Sequence, residues 1–402
     1  MSVTRPVPFS SNVEKLEPSA TIAVSSLAKR LRAQGRDVID LSAGEPDFDT
    51  PGFICEAAVE GIEAGRTRYT PAAGMPELRK AIAAHLSERT ESEVPWEGVV
   101  VTCGAKQALF NACFSLFGPG DEVLVAAPYW TSYPQMVGLT GADPVPVQGA
   151  ESREFRLTPD DLEAASTSRT RGLIYSSPCN PTGTVYTLEE LQAVAQWARD
   201  RDVWIVADEI YRRITFEGDG EAPGLLDLPE GSRGPFVLVD GASKSFAMTG
   251  WRLGFAYTEP TVAAKMSALQ SHTTSNAATP SQVAALAAWD NPEQTEEVVS
   301  EMRAAFRRRR DLVVRRFDED LPQLHYVTPR GAFYLFFRVD PLFGDGRENA
   351  TDVCAWILEE TGVAMVPGAA FGDDRWVRLS YATSDELLDR ALERVASLVD
   401  GT

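Results

Sequence analysis

The sequence contains little cysteine, little histidine and no long hydrophobic run. Its five cysteines are scattered without a Cys-x-x-Cys pair, and its three histidines lie far apart. Neither a disulfide framework nor a histidine-based metal site is therefore expected. No apolar stretch reaches the roughly eighteen residues of a membrane-spanning helix, and no charged-then-apolar leader begins the chain. These absences predict a soluble, reduced, cytoplasmic protein that binds no metal.

Positive charge is scarce as well. Lysine and arginine total 38 against 58 aspartates and glutamates, which gives a net charge of -20 and makes nucleic acids and anionic membranes poor partners. Six of the basic residues are lysines, a bias that fits either a high-salt habitat or a GC-rich genome. One dense basic run, Arg307 to Arg310, lies in a helical pattern and is expected to form a solvated face.

Short apolar runs alternate with amphipathic stretches in the middle of the chain. The runs predict strands over residues 99–102, 122–127, 172–175, 203–207 and 236–240, with helices over 106–117 and 188–201. Apolar strands separated by helices are typical of a mostly parallel sheet in an α/β domain. Ligands of such sheets bind beyond the carboxyl ends of the strands.

A second α/β unit is predicted towards the C-terminus. A long charged helix over residues 293–317 is expected to leave the larger domain. Predicted strands over 332–339, 363–366 and 377–380 follow it, with helices near 350–361 and 384–399.

Lys244 has the most informative position in the sequence. It lies among small residues and glycine, directly after the predicted strand over 236–240. Partial burial lowers the pKa of an amine and frees its lone pair to bond with an aldehyde. Taken alone, Lys244 also fits a strand-end lysine that reaches back to water.

Two other segments carry groups suited to an aromatic ring. Asp208 follows the strand that ends at residue 207 and could hold a protonated ring nitrogen, although taken alone it fits better as a helix cap. Asn180 begins the segment Asn-Pro-Thr-Gly, which fits a plain turn. Its side chain could instead donate a hydrogen bond to a phenolate oxygen, as could Tyr211.

A phosphate site is predicted where the helix over 106–117 begins. The unpaired N–H groups after Gly104, at Ala105 and Lys106, can hold a phosphate. Ser243 and Arg252, which flank Lys244, can add a hydroxyl and a guanidinium fork. The nucleotide triphosphate loop GxxxxGK[ST] is not present. An aldehyde-seeking lysine, a ring-nitrogen carboxylate, ring-oxygen donors and a phosphate cradle together describe pyridoxal phosphate.

The chain resembles the class I and II aminotransferases of pyridoxal-phosphate fold type I, most of all the bacterial branch of aspartate and prephenate aminotransferases. The resemblance runs from about Leu16 to Val399 through residues 18–21, 43–48, 68–71, 104–107, 128–130, 180–183, 208–211, 241–254 and 378–382. It implies an N-terminal arm over 1–15, a small domain over 16–49 and 293–402, and a large cofactor-binding domain over 50–292. It also implies transfer of an amino group between an amino acid and a 2-oxo acid.

The resemblance assigns roles around the cofactor. Lys244 is similar to the lysine that bonds to the cofactor aldehyde and then moves the substrate proton. Asp208 is similar to the ring-nitrogen partner, and Tyr211 and Asn180 to the ring-oxygen ligands. Trp130 is similar to the aromatic residue that stacks on the ring.

Further roles concern the substrate and a second subunit. Arg378 and Gly44 are similar to the residues that contact the substrate α-carboxylate, beside Trp130 and Asn180. Tyr69 is similar to a tyrosine that reaches the phosphate of the neighbouring subunit's cofactor, which implies a homodimer with shared sites.

Two departures from related enzymes concern the binding of the substrate side chain and of the cofactor phosphate. Some aspartate aminotransferases bind the substrate side-chain carboxylate through an arginine near the present residues 274–280, and no arginine lies there. In the branch that this chain resembles, a lysine and a threonine do so, and they correspond to Lys106 and Thr21. Gly241 occupies a position that often carries a phosphate-binding serine.

Aspartate with 2-oxoglutarate is therefore the predicted substrate pair. A prephenate, aromatic or kynurenine aminotransferase stays open as an alternative on the same fold. More remote alternatives are a pyridoxal-phosphate-dependent lyase and a cofactor-sensing regulator, which the acidic charge disfavours.

Overall fold

The computed structural model describes residues 10–401 except 15, 17, 19, 91 and 219. Of the predicted N-terminal arm over 1–15, residues 10–14 are described and the others lie outside the described residues. Within the part of the chain that is described, no helix is long and apolar enough to cross a membrane.

The chain alternates helices and strands along most of its length. The helices are α1 (Ser11–Glu14), α2 (Ala20–Ala33), α3 (Gly52–Glu63), α4 (Pro76–Ser87), α5 (Ala105–Leu116), α6 (Ser132–Leu139), α7 (Pro159–Ala165), α8 (Leu188–Asp200), α9 (Ala242–Ser245), α10 (Pro260–Ser271), α11 (Thr279–Asp290), α12 (Pro292–Asp320), α13 (Ala350–Thr361) and α14 (Asp385–Asp400). The strands are β1 (Ile39–Asp40), β2 (Val99–Thr102), β3 (Glu122–Ala127), β4 (Asp143–Gln148), β5 (Thr170–Ser176), β6 (Trp204–Asp208), β7 (Phe236–Gly241), β8 (Gly254–Thr258), β9 (Tyr326–Val327), β10 (Tyr334–Arg338), β11 (Val363–Ala364), β12 (Val366–Pro367) and β13 (Trp376–Ser380).

A seven-stranded sheet forms the larger part of the fold, in the order β2-β8-β7-β6-β5-β3-β4. Its pairs are parallel except those of β8, which runs antiparallel to β2 and β7. The prediction of an α/β fold with a mostly parallel sheet is confirmed. Strands β2, β3, β5, β6 and β7 match the predicted runs to within two residues at each end.

Two strands of this sheet were not predicted, β4 and β8. Strand β4 is exposed at Asp143, Pro146 and Gln148 and contains two prolines, which cannot donate to a neighbouring strand. It accordingly lies at the sheet edge, paired with β3. Strand β8 starts at Gly254, where a Cβ would come within 2.3 Å of the Ala105 backbone nitrogen. A glycine at this place lets β8 lie directly beneath the start of α5.

The parallel strands β5, β6 and β7 end side by side. Ser176 pairs with Asp208, and Asp208 pairs with Val239. The segments that follow these ends carry Asn180 and Lys244, so the topology brings together side chains that lie far apart in sequence. This edge of the sheet is where an α/β fold binds its ligand.

A second unit packs beside the large sheet. Strands β12-β13-β10-β9 form an antiparallel sheet, and β1 pairs in parallel with β11. The predicted strand over 363–366 is interrupted at Met365, so β11 and β12 join different sheets. Helix α12 is 29 residues long and buries Phe306 and Phe317, and the Phe306 ring lies 5.1 Å from that of Phe333.

The prediction of a solvated basic face on α12 is wrong for Arg309. Its side chain is buried, donates two hydrogen bonds to Asp47 at 2.7 and 2.8 Å, and donates a third to Asp385 at 3.0 Å. Consecutive helical residues point in directions about 100° apart, so four in a row cannot share one face. Arg309 therefore ties the segment before α3 to the long helix.

Candidate active site

A cavity of about 380 Å³ lies beyond the carboxyl ends of β5, β6 and β7. All the residues predicted for the site line it except Gly104 and Tyr69. The predicted residues in its wall are Thr21, Gly44, Ala105, Lys106, Trp130, Asn180, Asp208, Tyr211, Ser243, Lys244, Arg252 and Arg378. A cavity of this size is suited to a small-molecule ligand.

Lys244 projects into this cavity from the short helix α9, which directly follows β7. Its ammonium donates a hydrogen bond to the backbone oxygen of Gly44. Burial lowers the pKa of Lys244 to about 8, and the positive charges of Arg252 and Arg378 act in the same direction. Near neutral pH this amine is unprotonated far more often than an exposed lysine, as an attack on an aldehyde requires.

Asp208 supplies a buried carboxylate at the end of β6. One oxygen accepts a hydrogen bond from the Tyr133 hydroxyl at 2.6 Å, and the other accepts one from the Ile210 backbone N–H at 3.2 Å. Burial raises the pKa of Asp208 to about 6, against the lowering effect of the Tyr133 hydrogen bond. Among the described residues no cation forms an ion pair with this carboxylate, so a positively charged ring nitrogen would complete it.

Asn180 and Arg378 form a hydrogen-bonded pair in the cavity wall. Arg378 is fully buried and donates to the Asn180 side-chain oxygen and to the Ser42 backbone oxygen, both at 2.8 Å. The Asn180 amide nitrogen is thereby left as the donor towards the cavity. The Arg378 Nε is buried without a partner among the described residues, while other atoms of the same side chain line the cavity.

Tyr211 also lines the cavity and is held by a residue that was not predicted. Its hydroxyl hydrogen-bonds the Tyr334 hydroxyl at 2.7 Å, and the Tyr334 ring lies 4.4 Å from the Arg378 guanidinium. Tyr133 and Tyr334 both escaped prediction because, in sequence, each looks like a core aromatic residue. Their hydroxyl groups could have indicated a role beyond the core, since a buried tyrosine hydroxyl needs a hydrogen-bond partner.

The start of α5 forms the floor of the cavity. No side chain caps this helix, and Gly104 precedes it with a φ of 82°. A Cβ on Gly104 would lie 2.7 Å from Arg252 Nη2, so the glycine lets the guanidinium approach the helix end. Free N–H groups, the helix dipole and a nearby arginine suit a phosphate.

The donors present therefore fit pyridoxal phosphate. Asp208 offers a carboxylate that has no cation, Lys244 an amine with a lowered pKa, and the start of α5 an uncapped set of N–H groups. These three groups are placed around a single cavity.

The model of the family described as aminotransferase class I and II matches residues 36–395. The chain belongs to this family. This aminotransferase is 40% identical to the aspartate aminotransferase of Bacillus subtilis over 96% of the present chain and 98% of that one. It is 43% identical to the aspartate/prephenate aminotransferase of Thermus thermophilus, over 97% of this chain and 98% of the relative.

Solved structures agree with these sequence relatives. The aspartate aminotransferase of Thermus thermophilus with maleate superposes with a TM-score of 0.91 at 42% identity, over 98% of this chain and 100% of that one. The aspartate aminotransferase of Thermotoga maritima gives 0.89 at 38% identity, over 98% of this chain and 100% of that one. The protein is thus a pyridoxal-phosphate-dependent aminotransferase, and the predicted family, fold, enzyme class and cofactor are confirmed.

Tyr69 lies apart from the cavity of this aminotransferase. It is 91% exposed. Val59, Ile62 and Phe114 are also large, apolar and exposed.

Proposed function

We propose that this enzyme transfers the amino group of aspartate to 2-oxoglutarate. The observation that carries the proposal is Lys106, whose ammonium reaches the cavity 4.8 Å from the centre of the Trp130 ring. It has no acidic partner among the described residues, so it can attract an anionic group of the substrate. Thr21 lines the same cavity and can add a hydroxyl donor. The names of the relatives from Bacillus and Thermus support the same substrate.

We propose that Arg378 binds the carboxylate that every amino acid substrate shares. Arg378 lines the cavity, and its hydrogen bonds to Asn180 and Ser42 keep the guanidinium in a fixed plane. Gly44 contributes its backbone beside this carboxylate. The reacting Cα–H bond is then oriented towards Lys244.

Pyridoxal phosphate, when bound, supplies an aldehyde for the amino group and an electron-withdrawing ring that makes the Cα proton acidic. Lys244 removes the proton from the substrate Cα and acts as general base because desolvation keeps much of the amine neutral. Asp208 would keep the ring nitrogen protonated. Asn180 and Tyr211 would donate to the ring oxygen, and Trp130 would pack on the ring. Ser243, Arg252 and the N–H groups of Ala105 and Lys106 would hold the phosphate.

The predicted domain division belongs to the same proposal. Residues 16–49 and 293–402 form the small domain, and residues 50–292 form the large one. Closure of the small domain over the cavity would exclude water while the proton moves. The antiparallel sheet and helix α12 on one side, and the seven-stranded sheet on the other, support this division.

We also propose a homodimer that works in the reducing cytoplasm. The exposed Tyr69 ring and the exposed apolar side chains of Val59, Ile62 and Phe114 support a second copy of the chain as the partner. All five cysteines are unpaired, which suits a reducing compartment. Sedimentation equilibrium that yields the mass of one chain would contradict the dimer.

Steady-state kinetics with four acceptors tests the substrate. With aspartate or glutamate as donor, we expect 2-oxoglutarate and oxaloacetate to give the highest kcat/KM, ahead of prephenate and phenylpyruvate. A preference for prephenate would favour the alternative assignment that the relative from Thermus suggests. A preference for phenylpyruvate would contradict a carboxylate-binding role for this part of the cavity.

The substitution Lys106→Ala tests whether Lys106 binds the side-chain carboxylate of the substrate. We expect kcat/KM for dicarboxylic substrates to fall about 10- to 100-fold, because a charge-assisted hydrogen bond is worth roughly 1.5–3 kcal/mol. The value for alanine or phenylalanine should change little. Lys80→Ala is the matched control, since Lys80 also lies over a tryptophan, Trp96, but does not line the cavity. An equal loss for all substrates would assign Lys106 to the phosphate or to structure.

A further inference from the structure

Tyr133 contacts the carboxylate that we assign to the cofactor ring nitrogen. Its hydroxyl lies 2.6 Å from Asp208 Oδ2, and both residues are nearly inaccessible to solvent, at 2% and 4% exposure. The Tyr133 ring is held on the first turn of α6 by an edge contact with Trp130, whose ring centre is 5.5 Å away. The hydroxyl is thus fixed by packing on one side and by one acceptor on the other.

Other titratable groups surround Asp208, but none of the described side chains replaces this hydrogen bond. Glu209, the next residue, carries like charge and is turned towards Arg89, which donates to it at 2.8 Å. Cys179 lies close on the neighbouring loop, and burial raises the pKa of its thiol. Burial also raises the pKa of Tyr211 well above its ordinary value. Both groups are therefore neutral.

Lys244 is the nearby cation that favours ionised Asp208. Its side chain is engaged with the Gly44 backbone oxygen, and under the proposed function it is the group that reacts with the cofactor. Among the described side chains, the Tyr133 hydroxyl is the one that donates a hydrogen bond to Asp208, and it can keep this buried carboxylate ionised without taking part in the reaction.

We propose that Tyr133 is a positioning residue which keeps Asp208 ionised, and so keeps the proton on the ring nitrogen of the bound cofactor. The inference rests on the proposed function of Asp208. A hydrogen bond to a charged group strengthens when both are removed from water, and its loss would favour the neutral carboxyl group. The proton would then remain on Asp208, and the ring would lose its positive charge.

The test uses the apo-protein and pyridoxamine 5′-phosphate, which keeps the ring nitrogen and lacks the aldehyde that reacts with Lys244. Its dissociation constant is measured by tryptophan fluorescence between pH 5 and pH 9. In the wild type we expect the affinity to fall as Asp208 becomes protonated. In Tyr133→Phe this pH-dependent transition in affinity should move to higher pH by about one to two units, because the lost hydrogen bond to a charged group is worth roughly 1.5–3 kcal/mol.

Two further variants separate the explanations. Tyr175→Phe is the control, because the Tyr175 hydroxyl is buried without a hydrogen-bond partner among the described residues, and its transition should stay at the wild-type pH. In Asp208→Asn the transition should disappear, and adding Tyr133→Phe should then have no further effect. If the transition is lost in Asp208→Asn but stays at the wild-type pH in Tyr133→Phe, the proposed role of Tyr133 is wrong and that of Asp208 stands. Full affinity and an intact transition in Asp208→Asn would overturn the role of Asp208 as well.

Discussion

Lys244→Ala is expected to reduce amino-group transfer by on the order of 10⁴-fold or more. General base catalysis alone contributes about 10²- to 10⁴-fold, and this variant also loses the amine that bonds to the cofactor. Single-turnover formation of the 2-oxo acid measures the loss. Borohydride treatment followed by peptide mass spectrometry should find the cofactor attached at position 244 in the wild type and no such adduct in the variant.

Lys265→Ala is the matched control for this experiment. Lys265 is exposed on α10, and its loss should leave both the rate and the borohydride adduct at wild-type values. Substantial turnover by Lys244→Ala would show that another group moves the substrate proton. The low pKa of Lys244 and its place in the cavity would then need a different explanation.

Arg378→Lys is expected to lower kcat/KM by about 10²- to 10³-fold for every amino acid substrate. A lysine keeps the positive charge but cannot offer two parallel N–H groups to a carboxylate, and it cannot also bond Asn180 and Ser42. Loss of a buried charged hydrogen bond removes roughly 2–5 kcal/mol of binding. Steady-state kinetics with aspartate, alanine and phenylalanine measures the effect.

The pattern across substrates distinguishes Arg378 from Lys106. The Arg378 variant should affect all amino acids alike, whereas the Lys106 variant should affect the dicarboxylic ones. Arg315→Lys, in an exposed ion pair with Glu319, is the control and should behave as wild type. A loss confined to acidic substrates in Arg378→Lys would contradict its assignment to the shared carboxylate.

Most of the large sheet could be predicted because its strands are apolar on both faces. β6 and β7 are five- and six-residue, mostly apolar runs bounded by turns, too short for most helices, so they are readily predicted as buried strands. β4 and β8 were missed for opposite reasons. β4 is an exposed edge with proline, while β8 begins with a glycine that is needed for close packing and not for a turn.

A site residue could be predicted where its side chain has a distinctive chemistry and it directly follows a predicted strand. Lys244, Asp208 and Asn180 meet both conditions. Tyr133 and Tyr334 do not, because their importance arises from hydrogen bonds between elements that only folding brings together. Arg309 shows the reverse case, in which a charge run suggests solvent but the tertiary contacts bury one member.

Gly254 has a practical consequence for anyone who engineers this catalyst. Any side chain there would push against the Ala105 backbone, and the first turn of α5 would have to retreat. Gly241 opposite is equally constrained, since a Cβ would meet the Gly254 Cα at 2.6 Å. Grafting a serine onto position 241 to gain a hydroxyl is thus expected to displace the cradle that it was meant to strengthen. Efforts to tighten coenzyme retention should begin at Ser243 or Arg252 instead.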